Sequence, residues 1–158
     1  MNRRRLAVVA GLLAVAFALA ALAANPSVLI AGYDTTTVEA VDGETGESLA
    51  VVDARIADDT PKRYVGLSAT DELAADEGML FVHDEADEYA YVMRNMAFPI
   101  DILFVAPDGT VTGIHEAEPE SRPLTEYRGT GQYVFEVPMG WSERNGVGPG
   151  DRLVFELP

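Results

Sequence analysis

The residues whose types and spacing best suit chemistry lie in one stretch, Met93-Arg94-Asn95 followed through Phe98-Pro99 by Asp101. A guanidinium, an amide and a carboxylate set around a proline turn between apolar strands can orient a small anionic or polar ligand through directed hydrogen bonds. The structural alternative is that Arg94 and Asp101 pair with each other or with backbone and hold a corner of a sheet. Asp101 stands between Ile100 and Ile102, so it is expected to be buried and to require a donor. A further carboxylate, Glu136, could join Asp101 in two-carboxylate acid/base work of the glycosidase type, although a chain this acidic supplies such pairs by chance. The candidate ligand-binding set is therefore Arg94, Asn95, Asp101 and Glu136.

Other constellations are thinner. His83 and His115 are the only histidines, each ending an apparent strand beside acids. A two-histidine carboxylate metal site would lack the close helical spacing that makes such sites specific. Asp84, Glu85, Asp87 and Glu88 do not follow a calcium loop's spacing and read as a solvated acidic turn. There is no Gly-x-Ser-x-Gly motif, and Ser68, Ser121 and Ser142 lie near no histidine in sequence. Gly146-Val147-Gly148-Pro149-Gly150 lacks the strand-to-helix setting of a phosphate loop. Cysteine is absent, which removes disulfides, thiolate metal sites, cysteine nucleophiles and a cysteine-linked lipid anchor. No cofactor and no metal are expected.

The charge balance narrows the partners. With 11 Lys+Arg against 26 Asp+Glu the net charge is −15, and phosphate contacts need clustered basic residues, so a nucleic-acid partner is excluded. Setting aside Arg3, Arg4 and Arg5 leaves 8 basic residues against 26 acids, a net of −18 on the rest. The chain is 48% hydrophobic, which argues against disorder and gives 158 residues material for one packed core. Such acidity resembles that of proteins from halophilic archaea.

Arg3-Arg4-Arg5 precedes Leu6 to Ala24, nineteen residues without a charge. A positive start and an apolar run fit a signal peptide, with Ala21-Leu22-Ala23 as the small-x-small pattern before a cut. The run is also about long enough to span a bilayer as an uncleaved anchor. In both readings the arginines stay cytoplasmic, the segment engages the membrane, and the body lies outside it, anchored or secreted. The Arg-Arg pair loosely resembles a twin-arginine export signal, a weak inference about route.

Segments 1–24, 25–47 and 48–158 are thus expected to be signal or anchor, linker or edge strand, and folded domain. Within the last, residues 49–56 read as a strand, and Thr60 reads as the N-cap of a helix with Pro61 at its first position, running to about Leu67. A second helical turn is expected at Asp71 to Ala75. Strands are expected at Met79 to His83, Tyr89 to Met93, Ile100 to Val105, Val111 to Glu116, Tyr133 to Val137 and Leu153 to Leu157. Ala106-Pro107-Asp108-Gly109 reads as a hairpin turn, and Gly146 as the stop of a short helix from Gly140. The sum is an α+β fold, a β-rich curled or barrel-like mixed sheet with two short helices, preceded by an N-terminal hydrophobic helix.

Three stretches carry a family resemblance: Gly66-Leu67 with Glu77-Gly78-Met79-Leu80-Phe81-Val82; Tyr91-Val92-Met93-Arg94-Asn95-Met96 with Pro99-Ile100-Asp101-Ile102-Leu103-Phe104; and Phe135-Glu136-Val137 with Gly146, Gly150 and Asp151. Together they span roughly Ser48 to Pro158, and the sequence resembles the uncharacterised "domain of unknown function 192" group. The resemblance implies a small β-rich domain behind a signal or anchor, and no known reaction. Thr70, Val92 and Met96 depart from it, standing where arginine, tryptophan and threonine are usual. The functional reading is a non-catalytic binding or interaction module outside the cell membrane. The alternatives are a small carboxylate-dependent hydrolase and a structural envelope component.

Overall fold

The computed structural model describes residues 12–17, 20 and 32–158, and the chain divides into two units, Met1–Gly32 and Tyr33–Pro158. In the first unit, residues 12–17 and 20 are helical. The remainder of the expected hydrophobic helix, and Ala21-Leu22-Ala23 with it, lies outside the described residues. Among the described residues no helix is long and apolar enough to cross a membrane.

In the second unit, the apolar stretches form seven strands: β1 (Thr35–Val41), β2 (Ser48–Ala57), β3 (Glu77–Tyr91), β4 (Ile100–Val105), β5 (Val111–Ala117), β6 (Tyr127–Pro138) and β7 (Arg152–Val154). They pair in one mixed sheet in the order β5-β4-β6-β3-β2-β1-β7. Only β2 and β3 run parallel, and that crossover is made by helix α1 (Thr60–Val65) and a 3-10 turn, Gly66–Ala69. The outermost strands approach each other: the Val111 N–H donates to the Asp151 carbonyl and the Leu153 N–H to the Gly109 carbonyl, each at 2.8 Å. The sheet therefore curls into a half-barrel, which shelters edges that would otherwise offer unpaired backbone.

Both faces of the central strands are covered. Leu80, Leu103, Phe135 and Val137 pack with Trp141 on one face. Met79, Phe81, Ile102, Phe104 and Val134 pack with Leu67 and Met93 on the other. Successive residues of a strand point to opposite faces, so Glu136, paired across to Met79 and Ile102, belongs with the second group.

Several local expectations are corrected. Asp59, not Thr60, caps α1: its Oδ1 accepts the Lys62 N–H at 2.8 Å while its backbone stays extended. Residues 71–75 form no helix: α1 stops at Val65 with Gly66 at φ 51°, and the 3-10 turn after it ends at Thr70, whose backbone is extended. Met79 to His83 and Tyr89 to Tyr91 belong to one strand, β3. Against β6, Val82 pairs with Tyr133 and Asp87 with Gly131, so β3 takes five steps while β6 takes two and the excess bulges outward. The expected acidic turn at residues 84–88 is that bulge. β6 begins at Tyr127, earlier than expected, and β7 stops at Val154. β1 is paired on both sides, by β2 and β7. The turn at Ala106 to Gly109 forms, with Gly109 at φ 88° and its N–H donating to the Ala106 carbonyl at 2.9 Å. Helix α2 (Trp141–Asn145) ends at Gly146 with φ 67°.

Candidate functional site

The four candidate residues do not converge on one point. Asp101, only 1% exposed, accepts the Gly140 N–H on one carboxylate oxygen and the Ser142 N–H on the other, each at 2.9 Å. These bonds join β4 to the start of α2 and compensate the burial of the carboxylate. Asp101 pairs with Val137 across the β4–β6 ladder and Glu136 with Ile102, so the two carboxyls face opposite sides of the sheet and cannot share one substrate. Asn95 holds a left-handed φ of 56°, a conformation its short polar side chain tolerates, and its exposed side chain does not line the cleft described next.

Glu136 and Arg94 do share a cleft, of about 420 Å³, between the α1–3-10 crossover and the outer face of β3 and β6. Leu67, Phe81 and Glu136 are among its buried lining residues, and Arg63, Tyr64, His83, Tyr91 and Met96 are among the more open ones. Glu136 is 6% exposed. Among the described residues no hydrogen bond or ion pair satisfies its carboxyl, and burial alone pushes it up to about 8 from an ordinary 4.5. The group is thus mostly a neutral acid near pH 7.

A polar line runs beside it. His83 Nε2 lies 2.9 Å from the Tyr91 hydroxyl, and the His83 ring stacks on Tyr89 with centroids 3.6 Å apart. The β3 bulge makes this stack possible, since it folds residues 83 and 89 toward each other. Burial, with Arg63 adding to it, lowers the His83 imidazole below its ordinary value. Burial first, then the Glu136 carboxylate, raises the Tyr91 hydroxyl. A neutral phenol and a neutral imidazole therefore share this hydrogen bond, its direction following the His83 tautomer. Arg63 is anchored by Nη1, which donates to the carbonyls of Asp58 at 2.8 Å and Val82 at 2.7 Å. Arg94 donates to the Tyr64 carbonyl and lies 3.9 Å from the centroid of the Tyr64 ring. Neither arginine joins an ion pair among the described residues, where the pairs are Lys62 with Asp58 and Arg128 with Glu88 and Glu126.

Arg63 and Tyr91 carried no local signal in the sequence. His83 was singled out there for a metal reading, and His115 with it; His115 instead meets the Arg128 carbonyl at 2.8 Å, outside the cleft. No group of three or more His, Asp or Glu suited to a metal occurs among the described residues.

The profile of the DUF192 family, described as "Uncharacterized ACR", matches residues 41–155. The chain belongs to the DUF192 family. Among solved structures it is similar to a protein of Sinorhizobium meliloti provisionally described as a transcription regulator, at 34% identity and a TM-score of 0.72 over 80% of this chain and 97% of that one. It is also similar to a protein of unknown function from Novosphingobium aromaticivorans, at 28% identity and a TM-score of 0.70 over 79% of this chain and 88% of that one. No curated protein matches. Two of the positions where this DUF192 chain departs from the pattern read above, Val92 and Met96, line the cleft.

Proposed function

We propose that this DUF192 chain is a non-catalytic binding module outside the cell membrane, and that it holds a small polar ligand in the cleft between α1 and the β3–β6 face. The observation that carries the reading is Glu136, a buried carboxyl turned into a cleft with no partner of its own. Such a group is destabilising unless something satisfies it. A carboxylate-dependent hydrolase is less well supported, because Glu136 is the only acid among the lining residues and Asp101 faces the other side of the sheet. A purely structural envelope component leaves Glu136 unexplained.

Export rests on the three N-terminal arginines and the apolar run behind them. Intact mass of the natural protein distinguishes a chain cut after Ala23 from an uncleaved anchor, and a folded body found in the cytoplasm would refute export. The acidity suits a haloarchaeal setting. A role like that named for the Sinorhizobium protein is disfavoured, since a charge of −15 repels nucleic acid.

Native mass spectrometry of the protein isolated gently from its own host tests the binding reading. The expected result is a small non-covalent adduct that disappears when Ser68→Trp fills the cleft of an otherwise folded protein. An adduct that survives Ser68→Trp, or none on the unaltered protein, goes against it.

A further inference from the structure

The cleft holds opposite charges that do not pair with each other. Glu136 is largely buried, and among the described residues it has no hydrogen-bond or ion-pair partner. Arg63 and Arg94 line the same cleft, yet each is tied to backbone carbonyls by a single terminal nitrogen. Their other N–H donors make no hydrogen bond among the described residues, and neither reaches Glu136 within ion-pair distance. Tyr91 lines the cleft with them, and its hydroxyl feels the charges of both Glu136 and Arg63. Phe81, Tyr91 and Met96 give part of the cleft wall an apolar character. Guanidiniums fixed in this way are preorganised for an acid group, since they lose little freedom on binding it. A buried carboxyl in apolar surroundings pairs strongly with a cation that enters with it.

Resting on the reading of the cleft as a binding site, we propose that its ligand is a zwitterion: an amine that meets Glu136 and an acid group that meets Arg63 and Arg94, joined by an apolar chain that the apolar lining residues accommodate. A cleft of about 420 Å³ has room for an amine and an acid group joined by several methylenes. The titratable and charged groups that line the cleft with Glu136 are Tyr91, Tyr89 and His83 of β3, Arg63 and Tyr64 of α1, and Arg94 beyond β3. None supplies the carboxyl with a counter-ion. An arriving ammonium does, so binding converts the neutral acid to the carboxylate and releases a proton near pH 7.

The test uses the full chain in detergent and three probes of matched length, 6-aminohexanoate, hexanoate and hexylamine, titrated by calorimetry at about pH 7 in two buffers of different ionisation enthalpy. The expected result is that 6-aminohexanoate binds roughly tenfold or more tighter than either single-ended probe, with proton release. Glu136→Gln brings its affinity down to that of hexanoate and Arg94→Ala down to that of hexylamine, with the near-ultraviolet circular dichroism of both variants unchanged. Hexanoate binding as tightly as 6-aminohexanoate makes this an anion site and overturns the proposal. Hexylamine doing so makes it a cation site and overturns it as well. If no probe binds but a co-purified adduct is lost on Ser68→Trp, the zwitterion is refuted and the cleft reading stands. If there is no such adduct either, both are refuted.

Discussion

Replacing Glu136 with glutamine should stabilise the fold, and increasingly so as the pH rises. Burial holds this carboxyl near 8, against 4.5 in the unfolded chain. Below about pH 4.5 it is protonated in both states and carries no ionisation penalty. Between those two values the unfolded chain releases the proton and the folded chain keeps it, so stability falls by about 1.4 kcal/mol per pH unit. At pH 7 the accumulated loss is about 3 kcal/mol, an upper figure because the cleft is open to water. Glutamine does not titrate, so the loss is absent in Glu136→Gln. The gap between variant and unaltered chain should widen by up to about 3 kcal/mol from pH 4.5 to 7 and level off above about 8. For a chain of this size that corresponds to roughly 10 °C in Tm. Urea unfolding of both full chains across this pH range measures the gap, after refolding from denaturant to strip retained ligand. The comparison cancels the other carboxylates, which titrate alike in both. A gap that stays constant with pH would show Glu136 ionised in the fold and refute the unsatisfied buried acid.

Asp101→Asn keeps one acceptor and loses the other, so stability should fall by about 1.5–3 kcal/mol in urea unfolding while the native-mass adduct persists. Gly131→Ala places a Cβ 2.5 Å from the Val105 carbonyl oxygen, whereas a Cβ at Gly113 has nothing within 4 Å. Gly131→Ala should therefore lose about 1–3 kcal/mol and Gly113→Ala should change little. With a net charge of −15, Tm should rise between about 0.1 M and about 2 M sodium chloride as screening shortens from about 10 Å to under 3 Å. An unchanged Tm would reduce the acidity to a solubility trait.

What was legible in the sequence was what local chemistry decides. Pro107 and Gly109 specify a turn by their own dihedral preferences, Gly146 stops a helix for the same reason, and Asp101 between two isoleucines had to be buried and satisfied. Glu136 was legible as a carboxylate in an alternating strand, but alternation implies that one face meets solvent. β6 lies between β4 and β3 with both faces covered, so the face carrying Glu136 is buried apart from its opening to the cleft. The union of His83 with Tyr91 depends on how far the β3 bulge displaces the chain, which residue type does not encode. Arg63 reaches the cleft only because the crossover helix lies over β3. Asp59 took the cap expected of Thr60 because either side chain can accept the same backbone N–H, and only the path of the chain decides between them.

The most direct test of the cleft is a high-resolution crystal structure of the protein isolated from its own host without a denaturing step. The expected result is ordered density other than water in the cleft, with a donor atom within about 3 Å of the Glu136 carboxyl and an oxygen-bearing group facing Arg63 and Arg94. Water molecules alone bridging Glu136 to backbone, with the bound molecule elsewhere on the surface, would contradict it.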